Sequence, residues 1–133
     1  MTRLHFTSIR GKAIGIIDVI LHSEEVASAD DMLRSIHLVV EEIVVNIVNY
    51  SHSDYLDVEI MRDEDSVTMC FRDGGVPFNL LEAKTPDISL PMRQRKIGGL
   101  GIFMVKKEVD TIDYEYTNGE NVITVTLRSK PEI

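Results

Sequence analysis

The chain has 133 residues and a mass of 15.0 kDa, enough for one domain with a real core and too little for an appended module. Its 14 Lys plus Arg against 22 Asp plus Glu leave a formal net charge of −8, which argues against nucleic acid and anionic membranes as partners. The single cysteine, Cys70, excludes an internal disulfide framework and a multi-cysteine metal site.

The first residues, Met1-Thr2-Arg3-Leu4-His5, carry no apolar run of the kind that opens a targeting segment. The longest apolar stretches are broken by Glu41 and Glu42, so nothing approaches the roughly 20 apolar residues of a membrane span. The expectation is a single cytoplasmic domain over 1–133, with no repeat or linker to divide it.

Only His5-Phe6-Thr7-Ser8-Ile9 offers a strand near the N-terminus, and it is poorly marked. Residues 11–28 carry Ile14, Ile17, Val19, Ile20, Leu21 and Val26 at loosely helical spacing. Ile14, Ile16 and Ile17 point to an exposed apolar face, and hence to a homodimer. Asp30 and Asp31 are N-cap candidates for a second helix that runs to about Tyr50. Leu56, Val58 and Ile60 alternate with Asp57 and Glu59, which predicts a half-buried strand from Tyr55 to Arg62. Asp63-Glu64-Asp65-Ser66 then turns the chain into a partner strand over Val67 to Arg72. Leu100 to Val109 reads as a helix. Thr111–Thr117 and Val122–Arg128 flank an Asn118-Gly119-Glu120-Asn121 turn. Two hairpins among helices imply an α+β fold: a two-layer sandwich with a mixed, mostly antiparallel sheet and helices on one face.

Gly74 to Gly99 shows little periodicity and holds Pro77, Pro86 and Pro91, the pattern of a binding loop or lid. From Lys84 to Lys107 there are six basic residues and one acid, Asp87, so this stretch is net +5 in a chain of net −8.

Three clusters carry chemistry. In the helix ending near Tyr50, Glu42, Asn46 and Asn49 stand at i, i+4 and i+7. They fall within about 60° of one another on a helix that is apolar nearly all round. A carboxylate and two amides on such a stripe need partners. A structural hydrogen-bond network would satisfy them, and so would a hard cation with a general base beside it. Asp73-Gly74-Gly75-Val76-Pro77-Phe78 directly follows a strand. It could be a plain turn, or an acceptor for an exocyclic amine with glycines that let a flat ring approach. Gly98-Gly99-Leu100-Gly101 runs into a helix, where backbone amides and the positive helix end favour anions.

Together, in this order, the clusters resemble the GHKL (Bergerat-fold) ATP-binding family, and within it the bacterial anti-sigma-factor serine/threonine-protein kinases. Glu42-Ile43-Val44-Val45-Asn46 is similar to the N box, Asp73-Gly74-Gly75-Val76-Pro77-Phe78 to the first glycine box, and Gly99-Leu100-Gly101-Ile102 to the second. The resemblance covers about residues 12 to 129 and implies ATP and Mg²⁺ as cofactors, bound under an ATP lid loop. It places Glu42 as catalytic base and Asn46 on Mg²⁺. It places Asp73 and Gly75 at the adenine, with Asn49 on the same helix stripe and Thr124 near the base. Gly98, Gly99, Leu100, Gly101 and Ile102 would cradle phosphates, with Arg93, Arg95 and Lys96 as lid cations. The implied acceptor is a STAS-type anti-sigma-factor antagonist, and the implied regulated target is a sigma factor or another transcription regulator. A non-catalytic ATP-gated sequestration module is the alternative. A detached sensor-histidine-kinase catalytic domain is a third reading, weakened because His37 sits in the Glu42 helix rather than in a phospho-acceptor helix.

Overall fold

The computed structural model describes residues 1–82 and 99–129. In chain order the elements are β1 (Thr2–Thr7), α1 (Ala13–Leu21), α2 (Glu24–Ala27), α3 (Leu33–Tyr50), β2 (Tyr55–Arg62), β3 (Ser66–Asp73), α4 (Gly99–Glu108), β4 (Thr111–Thr117) and β5 (Glu120–Arg128). The five strands form one sheet in the order β1-β2-β3-β5-β4, and all four pairings among the described residues are antiparallel. This is the α+β sandwich that the hairpins imply.

Period-two alternation sorts the strands' two faces. Leu56, Val58 and Ile60 of β2, Val67, Met69 and Phe71 of β3, and Ile123, Val125 and Leu127 of β5 are buried under the helices. The opposite face carries Arg3, His5, Asp57, Glu59, Arg72 and Thr124. α3 lies across the buried face with Ile36, Val39, Val40, Ile43, Val44 and Ile47 all sealed from solvent. Its β-branched residues are modest helix formers. Packing holds the helix instead, since each such side chain contributes about 1.5–3 kcal/mol when fully buried.

Several local features differ from the sequence expectations. The N-terminal strand is Thr2–Thr7 rather than His5–Ile9, with Leu4 and Phe6 packed on the core. The predicted first helix divides into α1 and α2. Asp30 and Asp31 do not cap α3. They sit in a 3₁₀ turn that leads into it, and no side-chain cap bond forms there. Ile16 and Ile17 are buried in the core, so Ile14 alone of the three expected interface residues is exposed. The β4–β5 turn is two residues long, Asn118-Gly119, both at positive φ, and pairing resumes at Thr117 and Glu120. Among the described residues, no helix is long and apolar enough to cross a membrane.

Candidate functional site

β3 ends on Asp73, whose register partners are Leu56 and Asn121. Alternation puts Asp73 on the helix-covered face, below Phe71 and Met69, where an apolar residue would be expected. Both Asp73 and Asn121 are 1% exposed. A buried carboxylate needs donors, and two are supplied to its Oδ1: Asn121 Nδ2 and the Gly75 amide, each at 3.0 Å. Neither uses Oδ2. Burial raises the Asp73 pKa above its ordinary value, while the Asn121, Gly75 and Ser51 bonds pull it back.

The loop after Asp73 is fastened from two sides. Val76 N donates to the Ser51 carbonyl at the end of α3, 2.8 Å away. Asn121 Nδ2 also donates to Val76 O at 2.8 Å, and its Oδ1 accepts from Phe78 N at 2.8 Å and Tyr114 Oη at 2.5 Å. The two glycines are there for space. A Cβ at Gly75 would land on the Ser51 carbonyl, and one at Gly74 on the Tyr55 ring. Phe78 packs on Tyr50 with ring centroids 5.6 Å apart.

On α3 the polar stripe is only partly gathered. Asn46 is 6% exposed, and its Nδ2 donates to the Glu42 carbonyl at 2.7 Å and to Glu42 Oε1 at 2.9 Å. Spending both contacts of Nδ2 on Glu42 leaves the amide oxygen to face elsewhere. Asn49 is exposed and lines a separate hollow of about 390 Å³ with Arg10, Val48, His52, Ser53 and Asp54. The first turn of α4 abuts Glu42 so closely that a Cβ added at Gly101 would land on its carboxylate. Further along the two helices, Ser35 donates to Glu108 at 2.8 Å, so α3 and α4 run antiparallel. Lys106 donates to Leu81 O at 2.8 Å, tying α4 to the turn before residue 83.

The structure thus brings together Glu42, Asn46 and Gly101 at one point and Asp73 with Gly75 at another, both on the helix side of the sheet. Gly99 opens α4. Ile102 is a core side chain, so only its backbone is available to a ligand. Arg93, Arg95, Lys96 and Gly98 lie outside the described residues, as does the side chain of Leu100. Thr124 corrects an expectation. It is on the opposite face of the sheet from Asp73, with its hydroxyl 3.7 Å from Cys70 Sγ. The β5 residue that faces Asp73 is Asn121. The signal that could have found Asn121 is the Asn118-Gly119 dipeptide: a two-residue turn there starts β5 at Glu120, and alternation with Ile123, Val125 and Leu127 then turns Asn121 inward.

The Glu42–Asn46 pair fits a hard divalent cation by its donor chemistry, an amide oxygen beside a carboxylate. Among the described residues no group of three or more His, Cys, Asp or Glu side chains is gathered to hold a metal. Mg²⁺ needs no such cage, because it keeps waters and substrate phosphates in its shell.

Residues 13–127 match the histidine kinase-like ATPase domain family. No curated protein matches the chain. Among solved structures, the catalytic domain of histidine kinase ThkA in a nucleotide-free form superposes with a TM-score of 0.53 at 17% identity, covering 99% of this chain and 100% of that one. The Acinetobacter baumannii histidine kinase AdeS gives 0.54 at 14% identity, covering 98% of this chain and 69% of that one.

Proposed function

The chain belongs to the histidine kinase-like ATPase domain family, and on that premise we propose that it is a Mg²⁺-ATP-dependent serine/threonine-protein kinase of the anti-sigma-factor type. Its protein acceptor is a STAS-type antagonist, and the phosphorylation regulates transcription by partner switching. The observation that carries the reading is the Glu42 carboxylate, paired with Asn46 and set against Gly101 in the first turn of α4. A carboxylate there, beside an anion-favouring helix end, suits a group that receives a proton next to phosphates.

Asp73 accepts a hydrogen bond from the amine of the base, and Gly74 and Gly75 keep that approach free of side chains. The amides that open α4 hold the phosphates. Asn46 would hold Mg²⁺, which would supply charge neutralisation on phosphate oxygens. The acceptor hydroxyl oxygen bonds to the γ-phosphorus, the bond from phosphorus to the ADP oxygen breaks, and Glu42 takes the hydroxyl proton. Positioning and electrostatics supply most of the rate.

The test is transfer from γ-labelled ATP to a STAS-domain protein, with phosphoamino-acid analysis. Label on serine or threonine is the expected result. ATP binding without transfer overturns the kinase reading in favour of an ATP-gated sequestration module. Label on a histidine of a partner overturns the acceptor class.

A further inference from the structure

We propose that Asn121 is a positioning residue for base selection: by holding Asp73 through Oδ1 it fixes that carboxylate as a hydrogen-bond acceptor, and so makes the cleft choose bases with an exocyclic amine over bases with a carbonyl in that place. The inference rests on the reading that Asp73 meets the base.

A carboxyl group hydrogen-bonds differently in its two protonation states. Ionised, it only accepts; protonated, it can also donate. An accepting Asp73 suits the 6-amino group of adenine, and a donating one suits the 6-carbonyl of hypoxanthine. Asp73 is buried, which favours the protonated form. Asn121 Nδ2 and Gly75 N oppose burial, both at 3.0 Å and both on Oδ1, and the Ser51 hydroxyl adds less. Ser51 donates its proton to Ile47 O at 2.8 Å, so Asn121 is the leading side-chain donor. Among the described residues, the ionisable groups facing the carboxylate are Glu120, Tyr55 and Tyr114, and none of these is a cation. Within that set, the Asn121 amide does work that no charge does.

Asn121 cannot rotate to reverse this. Its Nδ2 is also committed to Val76 O, and its Oδ1 receives Phe78 N and Tyr114 Oη. A flip of the amide would set oxygen against the Asp73 carboxylate and the Val76 carbonyl, and NH₂ against the Phe78 N–H. Tyr114 enforces the orientation from β4, and the Phe78 amide enforces it from the loop.

The experiment is calorimetric binding of ATP and of inosine triphosphate, with Mg²⁺, to the wild type and to Asn121→Leu and Tyr114→Phe. Inosine triphosphate differs at the position in question by a carbonyl for the amine. The wild type is expected to prefer ATP by about tenfold or more, the scale of one hydrogen bond to a charged group. Asn121→Leu should lose most of that preference by weakening ATP and sparing inosine triphosphate. Tyr114→Phe, which keeps the amide and removes one of its guides, should lower the preference about two- to threefold. If Asn121→Leu weakens both nucleotides equally, Asn121 only holds the loop and the proposal fails. Should Asn121→Leu not fold, an unchanged preference in Tyr114→Phe sinks the proposal. A wild type that binds both nucleotides equally overturns the role of Asp73 itself. A wild type that binds neither overturns the nucleotide reading.

Discussion

Around Asp73, the polar atoms are held by residues distant in the chain; around Glu42, they are held by near neighbours. Asn121 reaches Asp73 across 48 positions and Phe78 across 43. Glu42 and Asn46 are four apart on one helix. The first arrangement exists only once β3, β5 and α3 are in place, because three elements each supply a bond. The second forms as soon as α3 does, and what places it is one missing side chain, at Gly101. Substitutions can break the contrast or sharpen it.

The largest effect is expected at the local end. Glu42→Gln keeps the shape and the bond to Asn46 but cannot accept a proton. Transfer should fall by about 10²–10⁴-fold with nucleotide affinity retained; normal phosphorylation by this variant removes Glu42 from the mechanism. Gly101→Ala places a methyl where the carboxylate lies. Alanine suits a helix better than glycine, so α4 should persist while transfer drops by roughly 10²-fold, the usual result of a misplacement near 1 Å. Single-turnover transfer beside circular dichroism separates these two readouts.

Asp73→Asn probes the distant end and should split function from stability. ATP affinity is expected to fall by about 10–100-fold, the range of a hydrogen bond to a charged group. The folded-state pKa of Asp73 is raised, so its protonated form is the one that folding favours. That contribution is present below pH 3.8 and lost as pH rises through the folded value. At neutral pH the ionised group therefore costs stability, and Asn should raise the thermal midpoint there while leaving it unchanged at the acid end. A midpoint that drops at pH 7 would show the carboxylate to be well solvated. A smaller effect should come from Gly75→Ala, whose methyl meets the Ser51 carbonyl. Denaturant unfolding is expected to show a loss of about 1–3 kcal/mol, the scale of overpacking. Gly15→Ala in α1, with open space around its Cβ, should gain up to about 1 kcal/mol.

How much of this was legible follows the same contrast. β2 and β4 sit where alternation placed them, because Leu56, Val58 and Ile60 alternate with Asp57 and Glu59, and Ile112 and Tyr114 with Asp113 and Glu115. Glu42 and Asn46 were legible because a helix fixes i and i+4 without help from the rest of the fold. Asn49 shares their spacing, yet at the last turn of α3 it meets the Arg10 side of the molecule instead. Asn121 was hidden by a turn read as four residues when it is two, since a polar residue in a turn needs no explanation. The poorly marked β1 lies at Thr2–Thr7 rather than His5–Ile9, because Ile9 packs in the core from outside any strand. Thr124 comes from the family resemblance alone, and a single step of register decides the face it takes.

Tyr55 has an optical consequence. Its hydroxyl donates to Glu120 at 2.6 Å, and that bond, with burial and the nearby carboxylates, pushes its pKa up to about 12. The chain has no tryptophan and four tyrosines, so phenolate absorbance near the ultraviolet edge is an almost clean signal. In alkaline titration the folded chain should keep Tyr55 colourless after an ordinary phenol has ionised. Folding stability that this proton supplies is full below pH 10 and vanishes as pH climbs to about 12. Burial raises the Tyr114 pKa as well, so the late rise that persists in Tyr114→Phe times the release of a single strap, the one that joins the start of β2 to the β4–β5 turn and lies over Gly74.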